Sequence, residues 1–123
     1  MKFDDNQPIF IQLANVFISQ IVSNNLKKGE KLPSVRDIAK EYKVNPNTVT
    51  KTIDELVNSG LFEVRRGLGT FVIEDENLIN KKRKEHLDER LRAFVHEFEK
   101  FGINREELVR MIMENENGDN ITN

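Results

Sequence analysis

Apolar positions recur along this chain with a period that changes several times, and each change marks an element. From Pro8 the apolar residues are Ile9, Leu13, Val16, Phe17, Ile21 and Val22, spaced to line one face of a helix. Asn24-Asn25 and Lys28-Gly29 end it, and Lys31-Leu32-Pro33 reads as extended, because a residue before proline avoids the helical region. Ser34 then caps a brief helix with Asp37 at the third position, Val35, Ile38, Ala39 and Tyr42 facing inward and Arg36, Lys40 and Glu41 outward. Lys43-Val44 forms a turn. Asn45 caps the next helix and Pro46 opens it, where a missing N–H costs nothing. Its apolar face is Val49, Ile53, Leu56 and Val57, and Gly60 supplies the left-handed residue that ends it.

The period then shortens to two. Phe62/Val64 and Phe71/Ile73 predict strands over Leu61–Arg65 and Thr70–Glu74, joined by a tight basic turn that contains two glycines. From Asp75 the character changes again. Lys81-Lys82-Arg83-Lys84 reads as a solvated basic run, after which Leu87, Leu91, Phe94, Phe98 and Phe101 recur at alternating steps of four and three, the seam of a helix packed on another helix. Gly102 stops that helix. Asn104 caps a last short one with Glu107 at its third position and Leu108, Met111 and Ile112 on its apolar edge. Residues 1–7 and the tail from Asn115 are polar and expected to be loose. Two short helices joined by a tight turn, followed by a basic hairpin, predict a mainly α fold with one small β-hairpin. The expected organisation is a winged helix-turn-helix DNA-binding domain over 1–74 and a two-helix dimerisation region over 75–123.

Composition narrows the classes. A chain of 123 residues with 37% hydrophobic and 33% charged residues is one ordinary domain, or one small domain plus an appendage, and it needs economical packing or a partner that shares its apolar surface. With no cysteine and two histidines, His86 and His96, ten residues apart, neither a disulfide nor a metal site is expected. No apolar run approaches the length of a membrane span and the first residues lack a signal-peptide core, so a cytoplasmic location is expected. No nucleophile–base set, phosphate-binding glycine loop or paired carboxylate arrangement is present, so neither an enzyme nor a cofactor is expected. The net charge is −2, but Lys27–Arg66 holds nine Lys/Arg against six Asp/Glu, whereas Asp75 to the end holds nine against twelve. Positive charge is concentrated on the helix pair and hairpin, and the local field is what a polyanion meets.

On a helical wheel centred on Ile53, Asn47, Thr48 and Lys51 point outward over the first turns of the second helix, with Glu55 one turn later marking where phosphate would be repelled. Asn suits an adenine edge, Lys guanine or phosphate, and Thr phosphate or a thymine methyl. Arg36 opens the preceding helix with a guanidinium fork. Arg65 and Arg66, both candidate DNA contacts, flank the hairpin turn, where Gly67 and Gly69 permit close approach of the backbone to a minor groove.

The run L-P-S-V-R-D-I-A-K-E-Y-K-V-N-P-N-T-V-T-K-T-I-D-E-L-V-N-S-G-L-F-E-V-R-R-G-L-G-T-F-V resembles the DNA-binding domain of the GntR family of bacterial transcription regulators over about Pro8–Ile73. The opening P-I-F-I-Q-L, the N-P-N-T-V and the late F-G-I-N-R-E-E-L are similar to the YtrA subfamily, which keeps only two helices after the winged helix and dimerises through them. The resemblance implies DNA contacts at Ser34, Arg36, Asn45, Asn47, Thr48, Thr50, Lys51, Arg66 and Gly67. On the wheel, Thr50 falls nearer the core than Asn47 or Lys51. Leu68 stands where many members carry a cation, and Pro46 and Thr50 stand where many outside the subfamily carry arginine. The resemblance further implies a homodimer on a pseudo-palindromic operator, with repression of a nearby operon, often one for a transporter. With no room for the family's larger ligand-binding or aminotransferase domains, an unidentified small-molecule effector would use the dimer interface or the hinge near Glu74–Asn77. The dimer surface expected is Leu87, Leu91, Phe94, Phe98, Phe101, Leu108, Met111 and Ile112. Two alternatives stand beside these readings: the phenylalanine seam packs back on its own winged helix, and the winged helix serves protein–protein contact without specific DNA binding.

Overall fold

The computed structural model describes residues 3–116. Met1, Lys2 and the tail from position 117, part of the segments expected to be loose, lie outside the described residues. The order is α1 (Ile9–Val22), α2 (Val35–Tyr42), α3 (Pro46–Asn58), β1 (Phe62–Arg65), β2 (Gly69–Val72), α4 (Glu76–Glu99) and α5 (Arg105–Glu114). The described residues form two compact units that divide between His86 and Leu87.

Local chemistry places each element of the first unit. Residues 3–7 are not loose: Phe3 packs against the core, and the Gln12 amide takes the Asp4 N–H at 2.7 Å and gives a hydrogen to the Gln7 carbonyl at 2.9 Å. A primary amide offers donor and acceptor together, which lets one side chain clasp a short peptide loop. Leu13, Ala14, Phe17 and Ile21 are the buried stripe of α1. Ser34 Oγ accepts the Asp37 N–H at 3.1 Å and starts α2, and Lys43 in the left-handed region at φ 56° stops it. Asn45 Oδ1 accepts the Asn47 N–H at 2.8 Å and Pro46 opens α3. Gly60, at φ +87°, turns the chain out of α3.

β1 and β2 pair antiparallel with Phe62 opposite Val72 and Arg65 opposite Gly69. The strands are shorter than their alternation predicted. On the free edge of β2, Lys31 bridges to Phe71, with Leu32 N–H on the Thr70 carbonyl and Val72 N–H on the Glu30 carbonyl, each at 2.8 Å. Phe17 is buried in the core and joins α1 to α2 and the wing, its ring edge-to-face with Tyr42 at 6.0 Å and with Phe62 at 5.8 Å. Around it lie Leu13, Ile21, Ile38, Val49, Leu56, Leu61 and Val72. A helix pair, a third helix behind it and a two-stranded wing make this unit a winged helix-turn-helix, followed by a helical C-terminal region.

The first turns of α4 belong to that unit. Ile79 is buried in its core, and Leu78 lies against Gly60. The basic run is not uniformly solvated: Arg83 turns inward, giving its Nε hydrogen to the Val22 carbonyl at 2.8 Å and another to Asn80. That carbonyl belongs to the last turn of α1, where helical carbonyls lack partners and a guanidinium is a favourable cap. His86 hydrogen-bonds Ser19 Oγ at 3.2 Å.

The second unit is built by the rest of α4 and by α5, which begins under the Asn104 cap on the Glu107 N–H at 2.9 Å. Leu108 is buried, and the Phe94 and Phe98 rings pack at a tilt of 54° with centroids 4.8 Å apart. Phe101 falls outside α4, in the turn that Gly102 makes at φ +79°, so the helical spacing that extended the seam to it is broken there.

Because Ile79 seals the first unit, Ile79→Ala should destabilise it by about 3 kcal/mol through lost burial and a residual cavity. Urea unfolding followed by circular dichroism checks this, and a loss below about 0.5 kcal/mol would mean that α4 starts outside the core.

Candidate nucleic-acid interface and the exposed apolar face

Burial on α3 falls on Val49, Thr52, Ile53 and Leu56. Stepping about 100° per residue, the centre of that buried arc lies roughly 50° from Ile53 on the Thr52 side. The rotation follows from α1. Thr52 is wholly buried, and its hydroxyl lies 3.1 Å from the Phe10 carbonyl and 2.9 Å from the Thr48 carbonyl. It is the one buried polar side chain in the core of the described residues, and its partners make that burial tolerable. A polar residue on a helix gives no burial signal in the sequence, so apolar periodicity alone places the buried arc nearer Ile53 than it lies.

The shift decides what the outer face carries. Relative to the new centre, Asn47 and Lys51 lie about 150–170° away, Thr50 about 110° and Thr48 about 90°. Asn47, Thr50 and Lys51 are exposed, and Thr48 is half-buried at the flank. Thr50, which the sequence wheel drew toward the core, thus joins the outer face, its hydroxyl donated to the Pro46 carbonyl at 3.2 Å. Asp54 and Glu55 are exposed in the following turn and close the cationic stretch. Lys51 Nζ lies 4.2 Å from the centroid of the Phe10 ring, so α1 supports the lysine through its ring as well as receiving Thr52 through its carbonyl.

Both cap residues keep donors in hand. Ser34 uses an oxygen lone pair for its cap and retains its hydroxyl hydrogen, and Asn45 uses Oδ1 and retains its NH2 group. Both are exposed, as is Arg36 on the first turn of α2, which forms no side-chain pair among the described residues. These groups surround two helix N-termini, whose free N–H groups favour an anion.

The wing divides its cations. Arg65 is committed to the protein, with Nη2 2.7 Å and Nε 3.0 Å from Glu63 Oε1, Glu74 at 3.8 Å, and its guanidinium 4.2 Å above the Phe71 ring. Arg66 is exposed and forms no side-chain pair among the described residues. Gly67, at φ +78°, has open space where a Cβ would stand, so the tip can approach a surface closely. Leu68 is 61% exposed beside it.

The second unit presents a different surface. Leu87, Leu91, Phe94, Phe101, Met111 and Ile112 are exposed, together with Val109 and Met113, which the sequence reading did not include; Phe98 is half-buried and Leu108 buried. Leu91, Phe94, Val95, Leu108, Val109 and Ile112, together with Asp88, Arg92 and Arg105, line a groove of about 310 Å³. Exposed apolar side chains in this number are uncommon on a solitary unit of this size. Among the described residues no helix is long and apolar enough to cross a membrane.

Comparison with known proteins gives a consistent picture. Residues 13–72 match the family described as bacterial regulatory proteins, gntR family. The chain is 36% identical over 111 residues to the uncharacterized HTH-type transcriptional regulator YhcF of Bacillus subtilis, covering 90% of this chain and 92% of that protein. It is 32% identical over 108 residues to the HTH-type transcriptional repressor YtrA of the same organism, covering 87% and 83%. Among solved structures, a GntR family transcriptional regulator from Listeria monocytogenes superposes with a TM-score of 0.81 at 30% identity, covering 91% of this chain and 98% of that one. The DNA-binding domain of AraR in complex with operator ORX1 superposes with a TM-score of 0.52 at 26% identity, over 58% of this chain and 88% of that one.

The capping role of Asn45 can be tested by substitution. Asn45→Ala should lower stability by about 1 kcal/mol, whereas Asn45→Asp, an equally good cap, should stay within about 0.5 kcal/mol of the parent in thermal unfolding.

Proposed function

The chain belongs to the GntR family of bacterial regulatory proteins, and on that premise we propose that it is a sequence-specific, dimeric DNA-binding repressor of transcription acting in the cytoplasm. The observation that carries the reading is the outer face of α3: Asn47, Thr50 and Lys51 stand exposed at its N-terminal end, and the acids Asp54 and Glu55 follow only after them. An α-helix fits the major groove with its N-terminal residues at the base edges. Asn47 and Lys51 are the base-reading pair, Thr48 and Thr50 take phosphate or a thymine methyl, and Ser34, Arg36 and Asn45 hold the flanking phosphates. Arg66 and Gly67 bring the wing to the minor groove beside it, and Arg65 supports the wing from within. The related AraR domain is seen with an operator, and the related YtrA is named a repressor. Both agree with this assignment.

One such face is small, and a repressor must compete against a genome of non-specific sites. The exposed face of Leu87, Leu91, Phe94, Val109, Met111 and Ile112 supplies the remedy: a second copy would cover it and set two α3 helices on a pseudo-palindromic operator. The target is an operon near its own gene, such as one encoding a transporter. An unidentified small-molecule effector would act at the dimer interface or near Glu74–Asn77, where α4 leaves the wing.

Selection of binding sites from random DNA should yield two half-sites related by inversion, and no enrichment would leave a winged helix used for protein contact. On the selected site, Lys51→Ala and Arg36→Ala should each weaken binding by roughly 10-fold and flatten its dependence on salt. Leu91→Glu, which buries a carboxylate in the apolar face, should shift the protein from dimer to monomer at micromolar concentration by sedimentation; a parent protein that is already monomeric there overturns the dimer.

A further inference from the structure

The wing carries one more cation than its own turn holds, and it comes from outside the hairpin. Lys31 lies in the extended segment before α2 and is held on the free edge of β2 by its bridge to Phe71 and by the hydrogen bonds of its two neighbours, Glu30 and Leu32. Residues directly opposite in an antiparallel pair share a face, so Lys31 stands on the same side as Phe71 and, two residues along β2, Gly69. The side chain takes that direction. A Cβ built on Gly69 would lie 2.9 Å from Lys31 Cε and 3.7 Å from Nζ, so the lysine stem crosses the bare glycine and delivers its ammonium to the end of β2 that adjoins the turn. Gly69, at φ +122°, serves two purposes there, since an L side chain would strain the backbone and obstruct the lysine.

The other charges of the wing make this placement consequential. Arg65 is occupied by Glu63 and the Phe71 ring, and Leu68 is apolar, which leaves Arg66 as the uncommitted cation of the hairpin. Lys31 is exposed and forms no ion pair among the described residues, although Glu30 and Glu63 are near it in the strand pairing. A lysine that stays unpaired while held by its backbone and laid across a glycine is pre-positioned for an external anion at little cost in entropy.

We propose that Lys31 is a DNA-contacting residue of the wing, its ammonium engaging a phosphate that flanks the groove approached by Arg66 and Gly67. The assignment rests on the reading of α3 and the wing as the DNA face. A phosphate contact has a specific signature: it releases a condensed counterion, so its loss lowers affinity for all sequences alike and reduces the slope of log affinity against log salt by about one.

The test compares Lys31→Gln and Lys31→Arg with the parent protein on selected and scrambled duplexes over a range of salt. Lys31→Gln should weaken binding to both duplexes by roughly three- to ten-fold near 0.15 M salt and flatten the slope by about one, while Lys31→Arg keeps both. Thermal unfolding of the three proteins controls for folding. Parent-like affinity and slope in Lys31→Gln overturn the proposal, as does a loss in Lys31→Arg equal to that in Lys31→Gln. If the parent itself shows no salt-dependent binding, the reading of α3 fails and this proposal with it, so the two failures are distinguishable.

Discussion

The contact of α1 with α3 is the constraint on which the rest depends. Thr52 is wholly buried between them with its hydroxyl against the Phe10 carbonyl, and Lys51, its neighbour in sequence, rests on the Phe10 ring. These two contacts fix the rotation of α3 about its axis. A helix with one side sealed can offer only the other, and the face so offered is Asn47, Thr50 and Lys51. Rotating α3 by roughly 110° would hide Thr50 and expose Thr52, replacing a cationic, amide-bearing surface with a hydroxyl that already has acceptors in the protein. The chemistry of the outer face is therefore a consequence of packing on the inner one.

The same economy governs the caps and the wing. Ser34 and Asn45 each spend an acceptor on their own helix and keep a donor for whatever lies beyond it. Arg65 is spent on the hairpin, giving a two-stranded sheet with little core of its own an ion pair and a cation–aromatic contact. A hairpin of that size is marginal alone, and the third segment through Lys31 adds hydrogen bonds along its free edge. What remains for an external partner is what the fold does not consume.

The two units solve the shortage of apolar residues differently. The first draws Ile79 from α4 into its core and closes the end of α1 with Arg83, so its stability extends beyond the wing into the following helix. The second buries Leu108 and leaves much of its apolar surface uncovered. A low hydrophobic fraction is tolerable in the first because its helices and wing share one core. In the second the same economy leaves an apolar face exposed.

Much of this was legible in the residues. Capping at Ser34, Asn45 and Asn104, the turn at Gly60, the alternation of the strands and the stripe of α1 all express local rules, in which a side chain acts on the backbone within one turn of itself. The sequence by itself therefore determined the order of elements, their approximate ends and the residues available for a polyanion. Only the tertiary structure decided how those residues are used, because use depends on partners distant in the chain. Thr52 is buried since α1 covers it, Arg83 is a cap since the end of α1 lies beneath it, Arg65 is held since Phe71 faces it across the hairpin, and Lys31 belongs to the wing since β2 pairs with it. Periodicity reports a residue's angle on its own helix or strand; which angle meets protein and which meets solvent is set by the neighbours that packing brings.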